Sequence, residues 1–90
     1  MGFERVLTVS GQQLTIKDSM FDKMVYYNGE PAAEFSGGME KNAEFAATED
    51  GEDVHYLVNL VYKPDFKRWF GAKNTCTVRR NGHVVDMIQF

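Results

Sequence analysis

The longest alternation of apolar and polar residues runs from Asp53 to Tyr62, where Val54, Tyr56, Val58, Leu60 and Tyr62 occupy every second position. A period of two sends these side chains to one face of a β-strand, and Leu57 and Val61 give the other face apolar character, which predicts a central strand. The dipeptides Asn28-Gly29, Asp50-Gly51 and Asn81-Gly82 break up the rest of the chain. Each can take the positive φ angles of a type I′ turn, whose twist suits antiparallel strands, so each predicts a tight hairpin.

The middle hairpin can be checked by its side chains. With Asp50 and Gly51 in the loop, Glu49 faces Glu52, and Ala47 with Val54, Phe45 with Tyr56 and Ala43 with Val58 form one apolar face. Thr48 with Asp53, Ala46 with His55 and Glu44 with Leu57 form a mixed, mostly polar face. A slip by one residue would turn Glu44 toward the core, so the pattern selects this register. The same reasoning in the last hairpin sets Val78 opposite Val85 and Cys76 opposite Met87, with Thr77 facing Asp86 and Arg79 facing Val84. In the hairpin around Asn28-Gly29 it sets Val25 opposite Ala32 and Lys23 opposite Glu34, and Pro31, which lacks an amide donor, predicts a sheet edge.

Upstream, "RVLTV" and "QLTIK" flank "SGQ" as a further hairpin. The predicted strands cover residues 3 to 9, 13 to 17, 23 to 27, 30 to 35, 42 to 48, 53 to 62, 74 to 80 and 83 to 90. "DSMFDKM", residues 18 to 24, reads as a connection, and "SGG" at 36 to 38 as a turn. The expected fold is all-β, an antiparallel β-sandwich or flattened barrel of about eight strands with a short helical turn near residues 64 to 71.

Ninety residues suit one domain, because a chain this short cannot divide its apolar surface between two full cores. A content of 43% hydrophobic residues argues against disorder. The lone Cys76 allows no internal disulfide, and the start, "MGFERVLTV", lacks the basic and apolar regions of a secretory signal. No apolar run approaches the roughly 18 residues of a membrane span. The expectation is a soluble cytoplasmic protein without a membrane partner.

Net charge changes the picture more than composition does. The chain carries −3 overall, but residues 1 to 60 hold eleven acidic and four basic side chains (−7), and residues 61 to 90 two acidic and six basic (+4). Much of the basic excess sits in "VYKPDFKRWFGAKN", residues 61 to 74. Pro64 suits the start of a helix, Asp65 its positive end and Gly71 the left-handed position after it. Phe66, Trp69 and Phe70 then share one face at i, i+3, i+4 spacing, with Lys67 and Arg68 turned away. Aromatics spaced in this way usually pack, so the expectation is a lid: the three rings seal the core while Lys63, Lys67, Arg68 and Lys73 stay in water. A functional reading stands beside it, in which an exposed Trp69 works with the cations, since Trp and Arg are frequent binding hot spots.

No catalytic constellation emerges. His55, His83 and Cys76 lack metal-ligand spacing, and the acidic residues around Asp50 lack the ligand order of an EF-hand. There is no phosphate-binding glycine loop and no nucleophile elbow. Cys76 is expected as a buried, inert thiol beside Met87. The expected function is therefore a small non-catalytic interaction module without cofactor or metal. Its candidate surface is Lys63, Lys67, Arg68, Trp69 and Lys73 with Arg79 and Arg80, and its expected partner is a protein, with a homodimer through sheet edges as a further possibility. An anion or nucleic-acid binder using the same surface is the alternative, disfavoured by the acidic balance of the chain.

The order of elements from Leu14 to Val85, carried by "LTIKDSMFDKMVYYNGEP", "EDGEDVHYLVNLVY" and "CTVRRNGHVV", resembles a single domain of the Fas apoptotic inhibitory molecule family in its hairpin cadence. The resemblance implies a compact antiparallel sandwich. Family members usually carry two such domains, the 61 to 74 connection has no counterpart among them, and no functional residue carries over.

Overall fold

A computed structural model describes Gly2–Phe90. The fold is all-β, with two antiparallel sheets, one short helix and no closed barrel among the described residues. The backbone divides into two compact units, one ending at Phe35 and the other running Ser36–Phe90.

The first unit is a four-stranded meander of β1 (Phe3–Val9), β2 (Gln12–Asp18), β3 (Lys23–Tyr27) and β4 (Glu30–Glu34), in that spatial order. Phe3, Val9, Leu14, Ile16 and Val25 are buried, and alternation puts them on one face. Ser10-Gly11 makes the first turn with positive φ at both residues, the geometry that Asn28-Gly29 adopts between β3 and β4. The connection between β2 and β3 is shorter than the expected 18 to 24: Asp18 ends β2 and Lys23 begins β3, so only residues 19 to 22 connect them, held by the Ser19 hydroxyl accepting the Asp22 N–H at 3.1 Å and by the Tyr26 hydroxyl donating to Asp22 at 2.6 Å. Within it, Met20 and Phe21 project into solvent.

The second unit is a five-stranded sheet in the order β5 (Ser36–Gly37), β6 (Glu40–Glu49), β7 (Glu52–Val61), β8 (Thr75–Arg80) and β9 (His83–Gln89), with α1 (Asp65–Trp69) between β7 and β8. β7 is the middle strand, and its Val54, Tyr56, Val58 and Leu60 are buried. The β6–β7 register is the expected one, from Glu49 opposite Glu52 through Ala43 opposite Val58. One strand was not anticipated. Ser36–Gly37, read as part of a turn, pairs with Asn42 and Lys41 as β5. Gly37 has φ 121°, and a Cβ there would collide with the Glu40 carbonyl, so only glycine fits this bend.

The outer two hairpins correct the expected pairings. Val25 faces Ala33 and Tyr26 faces Pro31, which leaves Ala32 as an extra residue, and Met24 rather than Lys23 meets Glu34. Likewise Val78 faces Asp86 and Arg79 faces Val84, which leaves Val85 extra, and Cys76 meets Ile88 while Thr77 meets Met87. Cys76 is buried as expected, but Met87 is exposed. Both bulges interrupt an edge strand, β4 and β9, where an added residue increases local twist and blunts the open edge. Alternation in the sequence cannot register such an insertion, because it assumes an unbroken period of two.

Each of these hairpins is also tied sideways by its turn asparagine. The Asn28 side-chain oxygen accepts the Gln13 N–H at 2.8 Å, and the Asn28 backbone N–H donates to the Gln13 carbonyl at 2.8 Å. Asn81 does the same to His55, accepting its N–H at 2.9 Å and donating to its carbonyl at 2.8 Å. Asparagine thus serves twice, tolerating positive φ and extending the neighbouring ladder by one bridge.

Candidate functional site

The candidate site is the connection between β7 and β8, and its neck is closed by Asn74. This buried residue accepts the Lys63 N–H on its side-chain oxygen at 2.8 Å and exchanges backbone hydrogen bonds with Phe90 at 3.0 and 2.9 Å. Beyond the neck, Pro64 is the N-cap in extended conformation, one position earlier than the sequence suggested, and its carbonyl accepts the N–H groups of Lys67 and Arg68. The far end closes with the Gly71 N–H on the Arg68 carbonyl at 3.0 Å and the Ala72 N–H on the Lys67 carbonyl at 3.0 Å. With Gly71 at φ 97°, these paired bonds form a Schellman cap, which is why a helix of five residues stops where it does.

The expected lid does not form. No residue of α1 is buried; Phe66, Trp69 and Phe70 are 61%, 89% and 88% exposed. The spacing groups the rings on a common face, but that face meets solvent and not the core. Lys67, Arg68 and Lys73 are exposed beside the rings and Lys63 is half-buried. Arg68 approaches Asp65 at 3.8 Å; Lys67 and Lys73 have no ion pair among the described residues. Below the neck, the Lys41 ammonium lies 5.5 Å from the centre of the Tyr62 ring, which packs edge-on against Phe90 at 5.8 Å. Lys41 comes to this end through the β6–β7 register, from a part of the chain far in sequence from Trp69.

Arg79 and Arg80 do not join the cations of the connection. They lie at the other end of β8, and as neighbours in a strand they point to opposite faces. Arg79, opposite Leu57, is on the exposed face. Arg80 is on the buried face, where its guanidinium donates twice to Glu49 Oε1, at 3.1 and 2.7 Å, while the Tyr56 hydroxyl donates to Glu49 Oε2 at 2.6 Å. Glu49 is almost fully buried, so this carboxylate is neutralised and solvated by two neighbouring strands. Burial, followed by the bond to Glu49, pushes the Tyr56 hydroxyl above its ordinary pKa; the bond to Glu49 raises that of Arg80. Arg80 is committed to the core, and the period of two in "CTVRR" already separated it from Arg79.

Among the described residues no cluster of His, Cys, Asp and Glu has metal-binding geometry, and no helix is long and apolar enough to cross a membrane. His55 pairs with Glu44 at 3.2 Å on the exposed face, far along the strand from the connection. Comparison with protein-family models, with curated proteins and with solved structures finds no match to this chain.

Proposed function

We propose that the chain is a non-catalytic interaction module that binds a macromolecular partner, a protein, through the α1 connection. The observation that carries this reading is the exposure of Trp69 with Phe66 and Phe70 on a short, capped helix. Three large rings held in water contribute nothing to the core, and they have the composition of a buried hot spot with Lys63, Lys67, Arg68 and Lys73 as its rim. The Schellman cap and the Asn74 neck limit the entropy lost when the rings become covered.

A base-stacking platform is the second reading, favoured by the same exposed Trp69 and Phe70 beside Lys67 and Arg68. It is the weaker one. With Arg79 and Arg80 elsewhere, the connection offers fewer cations than the phosphate contacts of a typical nucleic-acid binder. The deciding experiment is capture on the immobilised chain of residues 1 to 90. Wild type is expected to retain a protein in stoichiometric amount, and Trp69→Ala, folded by circular dichroism, to lose it. Retention undiminished by the substitution would remove the site; steeply salt-dependent binding of oligonucleotide would replace protein by nucleic acid.

A further inference from the structure

We propose that the partner of the α1 connection is a second copy of this chain, bound head to tail at the opposite end of the Ser36–Phe90 sheet. The inference rests on the reading of α1 as a docking surface and adds its occupant. The topology separates charge along the strands. At one end stand the neck and α1, with Lys63, Lys67, Arg68, Lys73 and Lys41 against Asp65 and Glu40, the last opposite Val61. At the other stand the Asp50-Gly51 and Asn81-Gly82 turns, because Glu49 pairs with Glu52 and Tyr56 with Arg80. There Asp50, Glu52 and Asp53 are exposed, and neither Asp50 nor Glu52 has an ion pair among the described residues. Two cations stand at this end: Arg80, on the buried face, is already bound to Glu49, and Arg79 lies on the outer face opposite Leu57 and Val84, so the three exposed carboxylates still outnumber the cation left for them.

The ten residues of β7 span roughly 30 Å between these ends. That is several times the Debye length of about 8 Å in physiological salt, so within the sheet neither end compensates the other. Between two molecules they can meet. The acidic end also offers exposed apolar surface, since Val84 and Val85 stand one and two residues beyond His83, the first residue after the Asn81-Gly82 turn. Trp69 and Phe70 would cover these valines while Lys67 and Arg68 face Glu52 and Asp53. Such a contact joins unlike surfaces, so it repeats into a chain of molecules or closes as a ring, in contrast to a two-fold dimer through β9 edges.

Sedimentation velocity on the full chain tests this. Wild type is expected to associate beyond a dimer with rising concentration at low salt, and to dissociate as salt is raised. Lys67→Glu with Arg68→Glu, and separately Glu52→Lys with Asp53→Lys, are each expected to weaken association about tenfold or more, by setting like charges against each other. An equimolar mixture of the two variants is expected to associate again, since each then presents the charge the other needs. A protein monomeric at all concentrations, a discrete dimer that does not grow, or a mixture that stays apart would overturn the proposal. If a monomeric wild type still captures another protein through Trp69, head-to-tail binding alone fails; if it captures none, the reading of α1 as a docking surface fails with it.

Discussion

Trp69 is the only tryptophan of the chain, so its fluorescence reports on the candidate site alone. At 89% exposure its emission should already be that of a solvated indole in the folded protein, fully open to acrylamide quenching. Association should move the emission to shorter wavelength and protect it. Trp69→Ala should change unfolding stability by no more than about 0.5 kcal/mol, as for other exposed positions away from packing, and denaturant melts check this. Tyr56 behaves in the opposite way. Its hydroxyl, buried and bonded to Glu49, has a folded-state pKa above the ordinary value near 10. Its contribution to stability is complete below the unfolded pKa. As pH rises past about 10 the unfolded chain loses this proton first and binds fewer protons than the native one, so stability falls until the folded pKa is passed. Tyr56→Phe should lower stability by about 1–3 kcal/mol at neutral pH and flatten the alkaline decline, read from chemical melts across pH.

The elements are held by turns as much as by strands. Asn81 combines φ 51° with a side-chain bond to the His55 N–H, two demands that alanine does not meet. Asn81→Ala should cost about 1–2 kcal/mol in thermal or denaturant melts, and Asn81→Asp, which keeps an acceptor and the tolerance of positive φ, should cost less. Most strand positions, the central place of β7 and the β6–β7 register were legible in alternation and turn chemistry. The two edge bulges were not, since an extra residue shifts pairing without changing which residues are apolar. The α1 helix was legible from Pro64 and Gly71, and its common aromatic face from i, i+3, i+4 spacing. Spacing names the residues that share a face but not what that face meets, and for this reason the lid was expected where an exposed tip stands.

Charge and aromatic surface act together across the whole molecule. If the α1 connection docks, its cations should govern encounter and its rings residence. Neutralising Lys67→Gln and Arg68→Gln should slow association and reduce its salt dependence, with dissociation little changed; Trp69→Ala should mainly speed dissociation. Surface plasmon resonance over a salt series separates the two. The uneven charge, −7 over residues 1 to 60 and +4 beyond, was visible in the sequence. Its spatial meaning was not. Chain position grouped Arg79 and Arg80 with the 63 to 73 cations, whereas pairing carried them to the other end of β8 and turned Arg80 inward to Glu49.

The sequence by itself determined the local grammar: antiparallel strands, three tight turns and a further hairpin at "SGQ", the Pro64 and Gly71 limits of the helix, and the three rings on one of its faces. These follow from φ preferences and side-chain periods, which act over a few residues. Tertiary structure decided which side chains share an environment. It set Glu49, Tyr56 and Arg80 in one buried network, moved the outer registers by one residue at each bulge, and left Trp69 in solvent. Such outcomes depend on contacts between residues distant in the chain, and a pattern of period two or 3.6 carries no information about them. The stretch "PDFKRWFG" shows the difference, since its helix was written locally and its exposure was not.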